Sequence, residues 1–301
     1  MADQTTTPPP DLPRLPPRRR ESSKYDYGRV VVVAGSRGMA GAAALASMAA
    51  LRSGAGLVEA VVPESIQATV AGFDPCVMTG GLPEDEAGRL DAAALPLIRE
   101  RAASADAVAV GPGLGRSEAI IEIVAKLWKT LPMPAVFDAD ALWALSQLAP
   151  PAVADHAGPR VLTPHAGELQ RLLGEGPSRA AAADRERLEQ AAIALARDTG
   201  CVLVFKGPDS LITDGSRQAH NETGNPGMAT AGTGDVLTGV IAALLGQGLG
   251  PYEAARLGAW VHGAAGDVDK ANRGEAAMTA LSLARSLGRG LRLTDDRKVN
   301  S

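Results

Sequence analysis

The chain has 301 residues and a formal net charge of −4, and 46% of its residues are hydrophobic but only 3% are aromatic. This suits one large α/β domain with a core of Ala, Val and Leu, and the mild acidity argues against nucleic-acid binding. We expect a cytoplasmic protein, because no apolar run approaches the roughly 20 residues that span a bilayer and the N-terminus lacks the apolar segment of a secretory signal.

The first segment, residues 1–24, is rich in Pro, Thr and Arg and has almost nothing to bury, which predicts a disordered tail. Its run Arg18-Arg19-Arg20 favours a solvated tail, with contact to nucleic acid or a partner as the alternative. Residues 25–290 contain no long linker and no internal repeat, so we expect a single domain there, followed by a C-terminal tail at 291–301.

From residue 27 onward, short β-branched runs alternate with Ala- and Leu-rich segments of helical length. Strands are predicted at 29–35, 57–62 and 201–207, and a strand followed by a loop is predicted at each of 105–113, 134–142 and 159–168. A hairpin is predicted at 210–220 and helices at 41–54, 233–245, 252–269 and 276–287. This alternation indicates βαβ units and a mostly parallel sheet, whose ligands bind beyond the carboxyl ends of the strands. The loops at those ends carry Gly35, Gly111, Asp138, Thr163 and Lys206.

Cys76 and Cys201 are too few for a disulfide framework or a metal cluster, and we expect both to be buried, as in a reducing compartment.

The stretch GMATAGTGDVLTG, at 227–239, joins a glycine-rich turn to an apolar helix. Gly232, Thr233 and Gly234 allow a tight turn, after which the helix presents free N–H groups and the positive end of its dipole, an arrangement that binds anions. Asp235 follows in the first helical turn, where a carboxylate can take the proton of a hydroxyl beside a transferring phosphoryl group. The alternative is that Asp235 only caps the helix. The stretch is not a P-loop, because Asp235 stands where that motif requires Lys.

Two further glycine-rich loops follow predicted strands. GSRGMAG, at 35–41, is a loose match to the dinucleotide-binding fingerprint, with Glu59 in the next strand, but its glycines have the wrong spacing. Because of this loose match, an NAD-dependent oxidoreductase remains an alternative function. GPGLG, at 111–115, is a second loop in which a ligand could approach the backbone closely.

Charged and polar side chains follow the remaining strands. TPHAGE places His165 three residues before Glu168 near a helix start, which suits either a capping acid or a site with His165 at a substrate and Glu168 toward a magnesium-bound water. Lys206, in KGPDS, is placed for nucleotide phosphates or is a surface lysine. Asp138 and Asp140 suit magnesium or solvent binding, or helix capping. The histidines at 156, 220 and 262 form no recognisable constellation.

Taken together, GSRGMAGAAALASMAALRSGAGLV, GPGLG, DADAL, TPHAGE, KGPDS and GNPGMATAGTGDVLTG resemble the NAD(P)H-hydrate dehydratases, in order and in spacing over residues 27–288. The resemblance implies a ribokinase-like three-layer α/β/α sandwich with a central, mostly parallel sheet. It also implies metabolite repair: NADHX and NADPHX, the hydrated forms of NADH and NADPH, are dehydrated at the expense of a nucleoside phosphate. Bacterial members of the family typically use ADP and release AMP, whereas eukaryotic members use ATP.

The resemblance also implies roles for individual residues. Asp235 would be the base at the substrate hydroxyl and would contact the hydrate, and the amides of Gly232, Thr233 and Gly234 would stabilise the phosphoryl group. Gly234 would also contact the nucleotide, whose phosphates would be lined by Lys206, Gly207, Pro208, Asp209 and Ser210. The hydrated dinucleotide would contact Ala42, Gly113 and His165. Glu168 would contact Mg²⁺ through a water molecule.

Two departures bear on this interpretation. Vitamin kinases of the superfamily often carry Asn where His165 stands, so H-x-x-E favours the dehydratase branch, although a hydroxyethylthiazole or hydroxymethylpyrimidine kinase remains an alternative. Ser210 stands where the family has Thr, which retains the hydroxyl. The N-terminal tail is too short for the epimerase domain of some relatives, so we expect action on the S epimer and a separate epimerase as pathway partner, or spontaneous epimerisation. The resemblance also implies a homo-oligomer such as a tetramer. A non-catalytic nucleotide-binding or partner-binding protein is a third hypothesis.

Overall fold

The computed structural model describes residues 7–148, 153–176 and 184–295. A central sheet organises these residues. Its strands are β1 (Arg29–Val33), β2 (Leu57–Pro63), β3 (Met78–Leu82), β4 (Ala107–Val110), β5 (Ala135–Phe137), β6 (Arg160–Leu162), β7 (Val202–Phe205), β8 (Ser210–Thr213) and β9 (Gln218–Asn221).

The strands lie in the order β3-β2-β1-β4-β5-β6-β7-β8-β9. The pairs from β3 to β7 are parallel, whereas β8 and β9 form an antiparallel hairpin at one edge. The predictions of a mostly parallel sheet and of a hairpin at 210–220 are therefore confirmed. The carboxyl ends of β1 and of β4 to β7 lie along one edge, which gathers the loops that follow them.

Helices cover both faces of the sheet. They are α1 (Ala40–Arg52), α2 (Glu64–Ala71), α3 (Ala94–Ala102), α4 (Glu118–Thr130), α5 (Asp140–Leu145), α6 (Ala166–Leu172), α7 (Arg185–Thr199), α8 (Thr233–Gly246), α9 (Pro251–Arg273) and α10 (Ala280–Leu293).

The core has two halves because side chains of a strand alternate between its faces. Val30 and Val32 pack with α1, α8, α9 and α10, whereas Val31 and Val33 pack with α3, α4 and α5. This arrangement confirms the predicted three-layer α/β/α sandwich.

The last predicted helix begins later than expected. Residues Glu275–Ala277 form a short 3₁₀ turn, and α10 starts at Ala280 because Thr279 Oγ1 accepts the N–H of Ser282 at 3.1 Å and caps it. The helix then continues to Leu293, beyond the boundary predicted at residue 290.

Part of the N-terminal segment packs on the domain. Leu12 is buried in the core, and Asp11 forms a 2.7 Å ion pair with Arg256 of α9. Arg18 Nη2 donates to the Gly54 carbonyl at 2.5 Å. The prediction that this segment has almost nothing to bury is therefore wrong at Leu12. Residues 1–6 and 296–301 of the two predicted tails lie outside the described residues.

The two cysteines differ in exposure: Cys201 is buried but Cys76 is exposed, so the prediction for Cys76 is wrong. Cys76 lies in the turn before β3, outside the core that its size and polarity favour. Among the helices of the described residues, none combines the length and the apolar character that crossing a bilayer requires.

Candidate active site

The loops after the parallel strands meet at one edge of the sheet. The N–H of Gly35, after β1, donates to the Pro112 carbonyl, after β4, at 2.7 Å. Gly111 packs against the end of β5 so closely that an added Cβ would lie 1.8 Å from the Asp138 carbonyl oxygen. The predicted gathering of these loops is confirmed.

We call residues Gly232–Gly234 the anion-binding turn, because they form the N-terminus of α8 and a helix N-terminus is suited to binding an anion. Gly232 is the N-cap with φ +91°, a left-handed conformation that favours glycine. The Thr233 hydroxyl lies 3.0 Å from the carbonyl oxygens of Met228 and Thr230 and so closes the preceding loop. The turn can therefore offer a ligand its backbone N–H groups, which have no partner within the helix.

Asp235 lies in the first turn of α8 and is half-buried. Burial, together with the negative charge of Asp138, raises the pKa of Asp235 to about 7, although Lys206 acts in the opposite direction. Because the N-cap is Gly232 and no side chain caps it, Asp235 is not the cap residue of α8. A carboxylate with this pKa can accept a proton at neutral pH.

A buried ion pair lies beneath the anion-binding turn. Lys206 Nζ is 2.8 Å from Asp138 Oδ1, and Asp138 Oδ2 accepts the Thr238 hydroxyl at 2.7 Å. Burial alone would lower the pKa of Lys206, but the carboxylates of Asp138 and Glu168 raise it. An added Cβ at Gly234 would lie 3.4 Å from Lys206 Nζ, so the turn passes directly over the pair. Lys206 is therefore not a surface lysine, and it lies beneath the turn of the candidate site.

Asp140 has a different role from Asp138. Its Oδ2 accepts the N–H of Gly115 at 2.9 Å, and its Oδ1 lies 3.4 Å from Arg116 Nε, so it holds the GPGLG loop. Ala139, between the two aspartates, has φ +51°. This strained conformation lets one aspartate point into the site and the other toward the loop.

His165 and Glu168 cap α6 reciprocally. His165 Nδ1 accepts the N–H of Gly167 at 3.0 Å, and Glu168 Oε2 accepts the N–H of His165 at 2.8 Å. The capping alternative is thus observed, yet it leaves these residues in the site, because Glu168 Oε2 is 3.8 Å from Lys206 Nζ. Since Nδ1 accepts, the neutral ring carries its proton on Nε2. Burial lowers the pKa of His165, opposed by Glu168 and assisted by Lys206.

A cavity of about 590 Å³ opens between the loop at 206–210, the segment that begins at the end of β9 (residues 221–229), and helices α8 and α9. The loop closes on itself, because the Ser210 hydroxyl donates to the Gly207 carbonyl at 2.9 Å. Arg185 of α7 supports it from behind, donating to the Asp209 carbonyl at 3.0 Å and lying over the Phe205 ring at 4.5 Å. The cavity ends at the anion-binding turn and is large enough for a nucleotide.

The predicted contacts of the hydrated dinucleotide lie in another part of the site. Ala42 and Gly113 are both buried, and an added Cβ at Gly113 would lie 2.9 Å from the Ala42 Cβ. The surface above them is provided by Met39, whose side chain is 50% exposed.

A family model described as NAD(P)H-hydrate dehydratase matches residues 30–289. The chain belongs to this family.

Individual relatives agree with the family assignment. The bifunctional NAD(P)H-hydrate repair enzyme Nnr of Moorella thermoacetica is 50% identical over 268 residues, which are 89% of this chain and 50% of the relative. The ADP-dependent (S)-NAD(P)H-hydrate dehydratase of Cenarchaeum symbiosum is 34% identical, over 84% of this chain and 85% of the relative. The chain spans about half the length of the bifunctional relatives it matches.

Among solved structures, the ADP/ATP-dependent NAD(P)H-hydrate dehydratase of Bacillus subtilis, co-crystallised with ATP and Mg²⁺, is 28% identical with a TM-score of 0.77. The match covers 94% of this chain and 99% of that one.

The fingerprint that suggested an oxidoreductase has another explanation in this dehydratase-family chain. Glu59 lies within β2, where it pairs with Arg29 at 2.9 Å and with Arg101. It therefore sits inside the sheet, away from the carboxyl end of β2 where a ribose hydroxyl would bind.

The described residues offer few ligands for magnesium at this site. In the part of the chain that the structure describes, no group of three or more His, Cys, Asp or Glu side chains is arranged to hold a metal ion. Glu168 offers one carboxylate that already caps α6. This donor set fits Mg²⁺ carried mainly by nucleotide phosphates and waters.

Sequence reasoning missed two residues of the candidate site. Thr238 binds Asp138, and His262 Nε2 lies 2.9 Å from the Thr233 carbonyl oxygen. Thr238 belongs to a run whose composition predicts only an apolar helix. His262 stands in a helix with no neighbouring polar motif, so only the packing of α9 against α8 reveals it.

Proposed function

We propose that this chain dehydrates the S epimer of NADHX and NADPHX, and that it uses ADP, or ATP, as the phosphoryl donor. The observation that carries the proposal is the half-buried Asp235, poised near neutral pKa directly after the anion-binding turn. The names of the Cenarchaeum and Bacillus relatives support the S epimer and the adenine nucleotide.

In the first step, Asp235 takes the proton of the ring hydroxyl. The hydroxyl oxygen then bonds to the terminal phosphorus as the bond between that phosphorus and the nucleotide oxygen breaks, and AMP leaves if the donor is ADP. The N–H groups of Gly232, Thr233 and Gly234 stabilise the negative charge on the transferring group. Lys206, fixed by Asp138, adds a positive charge beside it.

In the second step, the phosphorylated hydrate loses phosphate. The ring carbon–oxygen bond breaks, a proton leaves the neighbouring carbon, and the ring double bond is restored. Phosphate leaves far more readily than hydroxide, which is why the nucleotide is consumed.

The remaining side chains bind the two substrates in this proposal. Lys206, Gly207, Pro208, Asp209 and Ser210 line the nucleotide phosphates. Ala42, Gly113 and His165 contact the hydrated dinucleotide, and the His165 Nε2, 3.4 Å from Glu168 Oε1, keeps the ring oriented. Glu168 would hold Mg²⁺ through a water molecule, and the bound ion would supply positive charge to the phosphates.

The wider setting is part of the proposal. The hydrate forms as two epimers, so a separate epimerase would supply the S form, and we expect a homo-oligomer in the cytoplasm. Relatives of about twice this length are named bifunctional repair enzymes, which suggests that a second repair activity operates beside this one.

The test is recovery of the dihydronicotinamide absorbance near 340 nm from prepared NADHX with magnesium, run with ADP, with ATP and with neither. We expect recovery that requires one nucleotide and is lost in Asp235→Asn. Arg187→Met, in a surface ion pair with Glu175, is the control. No recovery with either nucleotide, or accumulation of a phosphorylated alcohol instead of free phosphate from thiazole or pyrimidine substrates, would point to a kinase.

A further inference from the structure

His262 lies in α9 and connects the cavity with the anion-binding turn. Its Nε2 is 2.9 Å from the Thr233 carbonyl oxygen at the start of α8. Because a carbonyl oxygen only accepts hydrogen bonds, Nε2 carries the proton. The ring is thus oriented by this bond, with the opposite nitrogen, Nδ1, turned away from the turn.

The ring is neutral at physiological pH. Burial lowers the pKa of His262 to about 4, against the effect of its bond to Thr233, and the charge of Lys206 acts in the same direction as burial. With its one proton on Nε2, the neutral imidazole presents an unprotonated Nδ1, which is a hydrogen-bond acceptor.

Nδ1 has no hydrogen-bond partner among residues 7–148, 153–176 and 184–295. It is not sealed in the protein, in contrast to the unpartnered Trp128 Nε1 and Arg160 Nε. The ring is half-buried and lines the 590 Å³ cavity beside Gly263. The cavity is therefore the space from which a donor can reach Nδ1.

The two asparagine side chains of the cavity are already engaged. Asn221 donates to the carbonyls of Thr223 and Ala259 at 3.2 and 3.3 Å, and Asn225 donates to Asp267 at 3.0 Å. Nδ1 of His262 differs from these amide groups, because it can accept a hydrogen bond but no described residue donates one to it. A nucleoside supplies such donors as ribose hydroxyls or as the exocyclic amine of adenine.

We propose that His262 binds the nucleotide co-substrate, with Nδ1 accepting a hydrogen bond from a hydroxyl or amino group of the nucleoside while the Nε2 proton holds Thr233. This assignment rests on the proposed function, which puts the nucleotide in this cavity. One rigid ring then links the nucleoside to the turn that holds the transferring phosphoryl group.

The first experiment measures ADP binding by calorimetry in the absence of hydrate. His262→Phe should weaken ADP binding by about 2- to 10-fold, the effect of one hydrogen bond between neutral groups. His220→Phe, which removes an exposed histidine near Glu189, is the matched control and should bind ADP like the wild type. Thermal unfolding of both variants verifies that they fold.

Nucleotide analogues identify the donor. In the wild type, one of 2′-deoxy-ADP, 3′-deoxy-ADP or inosine diphosphate should bind more weakly than ADP, and His262→Phe should no longer distinguish that analogue from ADP. The two deoxy analogues test the hydroxyls, and inosine diphosphate tests the amine. If the variant distinguishes all three analogues from ADP as strongly as the wild type does, the proposal is wrong.

A second measurement does not depend on the variant retaining its fold. The chain has four histidines, so ¹⁵N imidazole spectra are simple to assign. We expect His262 to be protonated at Nε2 at neutral pH, with an Nδ1 resonance that moves when ADP saturates the protein. An unmoved Nδ1 resonance despite ADP binding would overturn this inference alone. A wild-type chain that binds neither ADP nor ATP would overturn the proposed function as well.

Discussion

Lys206 Nζ lies 2.8 Å from Asp138 Oδ1, and the backbone of Gly234 passes directly over this ion pair. The two charges act on Asp235 in opposite directions: Asp138 raises its pKa and Lys206 lowers it. Burial of Asp235 shifts the balance upward, so the carboxyl group changes its charge near neutral pH and not in acid.

The first prediction is a pH-dependent rate. Because Asp235 must be ionised to accept a proton, kcat/KM for the hydrate should rise as pH increases through about 7 and level off above it. Asp235→Asn should reduce kcat by at least about 100-fold. Rates between about pH 5.5 and 8.5 provide the check, and a flat profile in the wild type would contradict the role of this carboxyl as the base.

The second prediction concerns stability. The pKa of Asp235 is about 7 in the folded chain, against an ordinary value of 3.8 when the chain is unfolded, so stability falls as pH rises from about 4 to 7 and stays lower above that. Asp235→Asn removes this penalty and should stabilise the fold at pH 8 by on the order of 1–2 kcal/mol, less than the full shift because the carboxyl group is partly solvated. Urea unfolding at pH 8 and pH 5 should show the gain shrinking at the lower pH.

The third prediction uses two glycines with almost the same backbone conformation. Gly232 has φ +91° and Gly248 has φ +89°, but only at Gly232 would a Cβ meet neighbours, at 2.6 Å from Leu45 Cδ1 and 3.0 Å from Ala280 Cβ. Gly248→Ala should lose about 1–2 kcal/mol of unfolding free energy and keep its activity. Gly232→Ala should lose more and be inactive. Equal losses in urea unfolding would show that the crowding at the turn relaxes without cost.

The fourth prediction tests the buried ion pair. Lys206→Met leaves the Asp138 carboxylate buried without its counter-charge and should lower the free energy of unfolding by about 3–5 kcal/mol. Adding Asp138→Asn should recover part of this loss, because Asn keeps an oxygen for the Thr238 hydroxyl but carries no charge. The four proteins of the cycle are compared by urea unfolding, and strictly additive losses would rule out coupling between the two side chains.

The fifth prediction tests whether the contact from Arg185 holds the loop at 206–210 in place for nucleotide binding. Arg185→Met removes the donor to the Asp209 carbonyl and should raise the KM for the nucleotide by about tenfold, with a smaller change in kcat. Arg187→Met, two residues along α7, breaks only exposed ion pairs with Glu175 and Asp184 and should leave KM unchanged. If both variants raise KM equally, the helix and not the Arg185 contact is responsible.

Much of the fold follows from local patterns, and β3 shows where such patterns fail. β1 and β2 are Val-rich runs that each follow a glycine, and their apolar character is what a strand buried on both faces requires. β3, with the sequence MTGGL, was not predicted because two of its five residues are glycines. It forms because β2 offers it a hydrogen-bonding edge, and that is a property of the assembled sheet and not of the segment.

The site was predictable where its residues stand in compact motifs, as in the anion-binding turn and the cap formed by His165 and Glu168. It was not predictable where the partners are remote in sequence. Asp138 bonds to a lysine 68 residues away and to a threonine 100 residues away. From the sequence alone, Asp138 could bind magnesium or cap a helix. Only the distances show that its two carboxylate oxygens are already bonded to Lys206 and Thr238.

The hydrogen bond between Asp138 and Thr238 also limits when the site can form during synthesis of the chain, because 100 residues separate the two side chains. A nascent chain that has reached residue 232 already holds both charges of the ion pair but lacks the helix that closes over them. The pocket beneath the anion-binding turn is therefore completed only by the last quarter of the chain. Until α8 docks, the face of the sheet that holds Val30 and Val32 would lack the helix that covers it.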